Sequence, residues 1–153
     1  MWNAFQRYRA LDPQARALFR QALLLLPWTA LSLRFRGFKK TQSLLESRLA
    51  TRVSLNSDSS LETVQRTCRM VRAAARYGVV QPSCLADSLT VWYLLQKQHV
   101  PANLKIGVRK QAHKFEAHAW VEYQGSAVNQ PADQHKHYAA FDAAFSGLSG
   151  DGQ

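Results

Sequence analysis

Beyond Pro101 the hydrophobic repeat of this chain changes period, and that change restricts the fold more than any other feature. In "NLKIGV" the apolar residues Leu104, Ile106 and Val108 alternate with their neighbours, and in "FEAHAWVEY" Phe115, Ala117, Ala119, Val121 and Tyr123 do the same. Successive side chains of a strand point to opposite faces, so each alternating set marks one side of a sheet. "RKQAHK" reads as a polar turn between the two strands. "QG", Gln124 and Gly125, reads as a two-residue hairpin turn, with "SAVN" returning beside it. An antiparallel sheet is therefore expected. The second strand leaves Glu116, His118, Trp120 and Glu122 together on the face opposite its apolar set.

Upstream the period is helical. Leu61, Val64, Cys68, Val71 and Ala75 recur at three- and four-residue intervals and so share one face, with Ser59 and Glu62 in capping-box spacing and Gly78 as the stop. In "QPSCLADSLTVWYLLQKQH" Ser83 is an N-cap, and the helix runs to about His99 on Leu85, Leu89, Trp92 and Leu95. Nearer the N-terminus, Asp12 as N-cap and Pro13 at the first helical position open a helical stretch from Leu11 to about Arg36. Pro27, which has no amide hydrogen to donate, is expected to end one helix there and seed the next. Gly37 is a stop, and a third helix is expected from Thr41 to about Thr51.

The polar segment "SLNSDSS", residues 54–60, reads as a linker. The fold class is α+β: a basic helical region over residues 1–53, the linker over 54–60, and a core over 61–153 in which a helix bearing cysteine precedes a small sheet bearing histidine.

Bulk properties narrow the function. With 46% apolar and 20% charged residues the chain has the composition of a globular domain. Its net charge of +10 is concentrated in residues 1–60, where ten Lys and Arg face three acids. Such a region attracts an acidic peptide or partner; nucleic acid is not expected, because aromatic and basic residues do not interleave as in RNA readers and no zinc spacing occurs. The apolar run from Ala22 to Leu33 holds about a dozen residues, interrupted by Pro27, where a membrane span needs roughly 20, so no stable membrane insertion is expected. The charged start "MWNAFQRYRALDPQ" lacks the features of a secretory leader, and two cysteines in no metal-binding spacing indicate free thiols and a cytoplasmic setting.

The two cysteines differ in context. Cys68 lies in an apolar stripe and reads as a small core residue. Cys84 lies in the first turn of its helix, where unpaired amides favour a thiolate and can donate to an oxyanion. A cysteine hydrolase or acyltransferase also needs an imidazole to carry its proton and a group that fixes the imidazole tautomer. His118 supplies the imidazole. For the third role, a two-residue turn pairs Tyr123 with Ser126 and Trp120 with Asn129, which puts Asn129 on the face of His118; a bulged turn gives the role to Gln130 instead.

"SCLADSLTVWYLL", "LKIGVRK", "FEAHAWVEYQGSAVN" and "HYAAFDAAF" together resemble the lasso peptide biosynthesis B2 proteins, leader peptidases with a transglutaminase-like core. The resemblance covers about Val64 to Phe145. It implies cleavage of a ribosomally made precursor peptide between leader and core by a Cys-His-Asp triad without a cofactor, with Cys84 as nucleophile and His118 as base. It also implies two partners, a separate leader-binding B1-type protein and a macrolactam cyclase. Two positions depart from the family pattern. Gln130 stands where an aspartate is usual, leaving the third role to Gln130, Asn129 or Asp133. Asp87 stands where a basic residue is common, and its charge opposes a thiolate nearby.

Several residues admit plainer roles. Trp120 either shapes a peptide-binding groove, shields the imidazole, or packs on the sheet. Glu116 and Glu122 read as solvated strand residues, and Gly107 as a place of close backbone approach. His135 and His137, two apart and without a completing acid or thiol, are not expected to bind metal. Two alternatives to a leader peptidase stay open: an acyltransferase sharing the same thioester, and a catalytically weak binding protein that scaffolds precursor and maturation partners.

Overall fold

The computed structural model describes residues 6, 8–49, 61–111, 114–131 and 138–142. Among the described residues the helices α1 (Pro13–Leu49), α2 (Leu61–Tyr77) and α3 (Cys84–Lys97) precede the strands β1 (Asn103–Gln111), β2 (Lys114–Tyr123), β3 (Ser126–Ala127) and β4 (Ala139–Asp142). The strands form one antiparallel sheet in the order β3-β2-β1-β4. The linker 54–60 and Ser59 lie outside the described residues, as do Asp133, His135 and His137.

Asp12 opens α1 as its sequence position suggests. The Ala15 amide donates to Asp12 Oδ1 at 2.8 Å, and that bond holds the carboxyl below its ordinary range. The expected break at Pro27 is not there. The helix continues through Pro27 and is interrupted at Gly37, whose φ of 76° and ψ of 175° leave helical space. Proline inside a helix forfeits one hydrogen bond and crowds the preceding turn. Here packing offsets that loss: Leu26 and Thr29 are buried, and Thr29 Oγ1 bonds the Leu25 and Leu26 carbonyls and reaches Thr90 Oγ1 on α3 at 3.1 Å.

At Gly37 a positive φ requires a residue without Cβ. The helical path resumes directly after it rather than at Thr41 and folds back on the first half. Arg48 thus lies over the Trp28 ring at 5.3 Å, two residues that a straight helix would hold about 30 Å apart. The fold-back brings Leu45 into the same apolar core as Ala22 and Leu26 of α1, Val64 and Val71 of α2, Leu89 and Leu95 of α3, and Leu104, Val121 and Tyr123 of the sheet.

The stripe read for α2 faces this core at Val64, Cys68 and Val71, while Leu61 is exposed and Ala74 lies deeper than Ala75. Helix α3 is buried on most sides, with Ala86, Ser88, Leu89, Thr90, Val91, Trp92, Leu94 and Leu95 all buried. It ends at Gln98, after which His99 takes a φ of 58° and the Val100 amide returns to the Leu95 carbonyl at 3.0 Å.

The sheet differs from its sequence reading in two places. The first hairpin is longer, because β1 runs to Gln111 and β2 begins at Lys114, so most of "RKQAHK" is strand. Directly opposite each other in it, Arg109 and Glu116 form an ion pair at 2.6 Å, so Glu116 has a specific partner. The second difference is β4, which pairs with β1 so that Ala140 faces Gly107. Its alanine-rich sequence gives no alternation to read. Burial along β2 also grades from one end to the other: Ala119, Val121 and Tyr123 are buried, but Phe115 is 77% exposed.

Candidate active site

Cys84 is the first residue of α3, and Ser83 caps it by accepting from the Ala86 amide at 3.2 Å. Both cysteines are free thiols, Cys84 exposed and Cys68 buried. Burial, and after it the negative charge of Asp87, pushes the Cys68 thiol up to about 12. Cys68 is therefore chemically inert at neutral pH, and Cys84 is the accessible sulfur.

Ser88 stands one helical turn after Cys84 on the same flank. Its hydroxyl donates to the Ala119 carbonyl at 2.9 Å, next to His118 on β2. A second tie comes from Asn129. Its Oδ1 accepts from the Val121 amide at 2.9 Å, while its Nδ2 donates to Ser88 Oγ at 2.9 Å and to Asp87 Oδ2 at 3.2 Å. The first two turns of the cysteine-bearing helix are thus fastened to the histidine-bearing strand. Burial raises the Asp87 carboxyl above its ordinary range, against the opposing pull of the Asn129 bond and of Arg72.

The hairpin turn has the expected register. Gln124 and Gly125 have φ of 50° and 77°, as a tight two-residue hairpin turn requires, and Tyr123 pairs with Ser126. The ladder nevertheless ends too soon for Asn129 to share the face of His118. After Ala127 and the Val128 amide's bond to the Val121 carbonyl, the Asn129 side chain takes the Val121 amide. The chain then leaves the strand, and Gln130 Oε1 is the group bonded to His118 Nε2. Of the two adjacent amides it is Gln130 that bonds the imidazole, while Asn129 joins strand to helix.

The Gln130 bond has a chemical consequence. With Gln130 Oε1 as the acceptor the ring donates from Nε2, the tautomer that carries its lone pair on Nδ1. The amide nitrogen of Gln130 is buried and has no hydrogen-bond partner among the described residues.

Trp120 is 1% exposed and so offers no surface to a peptide; it is a packing residue. Its ring lies 6.2 Å from that of His118 in a stacked orientation, and its Nε1 donates to Glu122 Oε1 at 2.9 Å, which makes Glu122 more than a solvated residue. The indole fits because β1 presents Gly107 opposite His118. A Cβ at Gly107 would lie 2.9 Å from two indole carbons and 2.8 Å from Tyr138 Cβ. The close approach at Gly107 is thus made by side chains. Tyr138, whose ring is 5.1 Å from that of His118, lies against the half-buried imidazole as well.

The sequence reading did not find Ser88 or Tyr138 and did not connect Asp87 with Asn129. A serine four residues after Cys84, and so on the same flank of the helix, was the available signal for the first. Among the described residues no three His, Cys, Asp or Glu side chains gather as a metal site would require, and no helix is long and apolar enough to cross a membrane.

The family model of the transglutaminase-like superfamily matches residues 15–141, beginning inside α1 and ending in β4. Neither a curated protein nor a solved structure matches the chain. The match covers the cysteine-headed helix, the histidine strand and the residues that join them, within an α+β fold of helices and a small antiparallel sheet. On this ground the chain belongs to the transglutaminase-like superfamily.

Proposed function

We propose that the protein is a cysteine-dependent leader peptidase that removes the leader from a ribosomally synthesised, lasso-type precursor peptide. The observation that carries this reading is the bond from Gln130 to His118 Nε2, on a strand tied through Ser88 and Asn129 to the helix headed by exposed Cys84. The stretches "SCLADSLTVWYLL" and "FEAHAWVEYQGSAVN" support the substrate class.

In this mechanism the Cys84 thiol gives its proton to His118 Nδ1, and Sγ attacks the scissile carbonyl. Amides of the first turn of α3 donate to the oxyanion. As the carbon–nitrogen bond breaks, the imidazolium returns the proton to the leaving amine, and a thioester remains on Cys84. Water, losing a proton to His118, then hydrolyses the thioester to the carboxylic acid and the free thiol. Gln130 holds the ring in the productive tautomer throughout, but as a neutral amide it stabilises the imidazolium less than an aspartate would, so turnover is slow. A leader-binding protein delivers the precursor, and a cyclase acts on the released core.

The test is incubation of the protein with precursor and leader-binding partner, followed by mass spectrometry. Wild type separates leader from core with addition of one water, and Cys84→Ala and His118→Ala do not. Cleavage that persists in Cys84→Ala refutes the reading. Transfer of the acyl group to an added amine in preference to water identifies an acyltransferase.

A further inference from the structure

An open groove of about 680 Å³ lies between the first half of α1 and the loop that leads into α3, lined by Trp28, Leu31, Leu33, Arg34, Val80 and Ser83 among others. Three observations relate it to the chemistry at Cys84. Ser83, which lines the groove, is the cap of α3 and the residue before the nucleophile. The lining is predominantly apolar and includes Leu31, 60% exposed, while Phe35 and Val79, the chain neighbours of lining residues Arg34 and Val80, are 75% and 100% exposed. The only charged lining residue among those described is Arg34, and Arg36, Lys39 and Lys40 follow it, all exposed, with no acid between residues 34 and 40.

We propose that this groove is the acyl-side subsite of the enzyme. It receives an extended substrate segment with a large aliphatic side chain close to the scissile carbonyl and an acidic residue farther out, against Arg34. This rests on the reading of Cys84 as nucleophile. A carbonyl held at Sγ leaves the preceding residues of the peptide to run past Ser83 into this groove. A chain with one apolar anchor and one acid matches the groove's apolar wall and basic end.

Peptidyl chloromethyl ketones test it on the full-length protein, since Sγ displaces chloride to give a stable thioether that intact mass reads directly. Three probes suffice: acetyl-Glu-Leu-Gly, acetyl-Glu-Ser-Gly and acetyl-Lys-Leu-Gly chloromethyl ketone. Each labelling rate is divided by the iodoacetamide rate of the same variant, which needs no groove. The Glu-Leu probe is expected to label Cys84 at least about tenfold faster than the Ser or Lys probe, the scale at which an apolar pocket discriminates. Leu31→Asp should erase the preference for Leu, and Arg34→Glu should reverse the preference for Glu over Lys; both positions are exposed, so the fold is kept.

Equal rates for all three probes, or preferences that survive both substitutions, overturn the subsite while leaving Cys84 as nucleophile. Failure of every reagent, iodoacetamide included, to label Cys84 faster than a free cysteine overturns the nucleophile itself. A dimer in light scattering that Leu31→Asp dissociates would show the groove filled by a second copy and would also overturn the subsite.

Discussion

Asn129 and Gln130 are adjacent and both carry amides, yet their replacement should fail in different ways. Asn129→Ala removes one acceptor and two donor contacts at once: the Val121 amide, Ser88 Oγ and Asp87 Oδ2. Leaving a buried backbone amide unsatisfied costs about 1–3 kcal/mol, and withdrawing a donor from a buried carboxylate adds a similar amount. Allowing for water at the partly open side, the expected loss is about 3 kcal/mol. For a domain of this size that lowers Tm by about 6–12 °C.

Gln130→Ala removes the acceptor that fixes His118 and also removes an amide nitrogen that has no partner among the described residues. Stability should change by less than about 1 kcal/mol, while the rate falls about tenfold or more, since roughly 1.4 kcal/mol of lost orientation in the transition state corresponds to a factor of ten. Thermal unfolding followed by circular dichroism reads the first effect. Single-turnover cleavage, at a temperature where both variants are folded, reads the second. A destabilised Gln130→Ala beside an undisturbed Asn129→Ala would refute the assignment of anchoring to one residue and orientation to the other.

Three further outcomes follow from the same geometry. Gly107→Ala sets a Cβ 2.8–2.9 Å from the Tyr138 side chain and the Trp120 ring, and overpacking of this kind costs about 1–3 kcal/mol; the near-ultraviolet dichroism of the indole should change with it, and an unaltered signal together with wild-type stability would show the site to be looser than described. With iodoacetamide at pH 8, Cys84 should be alkylated while Cys68, buried and with its thiol pushed up to about 12, reacts only on unfolding; peptide mapping that finds both labelled at like rates contradicts this. Asp87→Asn should raise Tm at pH 7. The folded protein binds the Asp87 proton more tightly than the unfolded chain does, so wild-type stability falls as pH rises from the ordinary carboxyl range, near 3.8, through the raised folded value. The advantage of the variant should therefore shrink toward pH 4, and an advantage that grows there would reverse the sign argued.

Local features of the sequence determined a good deal of this protein. The switch to period two, the Ser83 cap, the Gln124–Gly125 turn and the first-turn position of Cys84 are each decided by a few neighbouring residues, through amide capping, side-chain alternation or permitted φ. The sequence therefore specifies the cysteine-headed helix and the histidine strand before any packing is known. Tertiary structure decided the rest. Pro27 stays helical because Leu26 and Thr29 are held in the core, and the chain turns at Gly37 instead. β4 exists only because β1 offers it an edge. Trp120 is buried because a residue on the neighbouring strand, Gly107, has no side chain.

The same holds for the choice between Asn129 and Gln130. Turn geometry alone extends the ladder and gives His118 to Asn129. In the folded protein the pair Asp87 and Ser88 at the start of α3, 42 and 41 residues away and in no strand pattern, draws the Asn129 amide across. That competition ends the ladder at Ala127 and delivers Gln130 to the imidazole. A hydrogen bond between elements distant in sequence has no period and no spacing, so only the assembled fold could decide it.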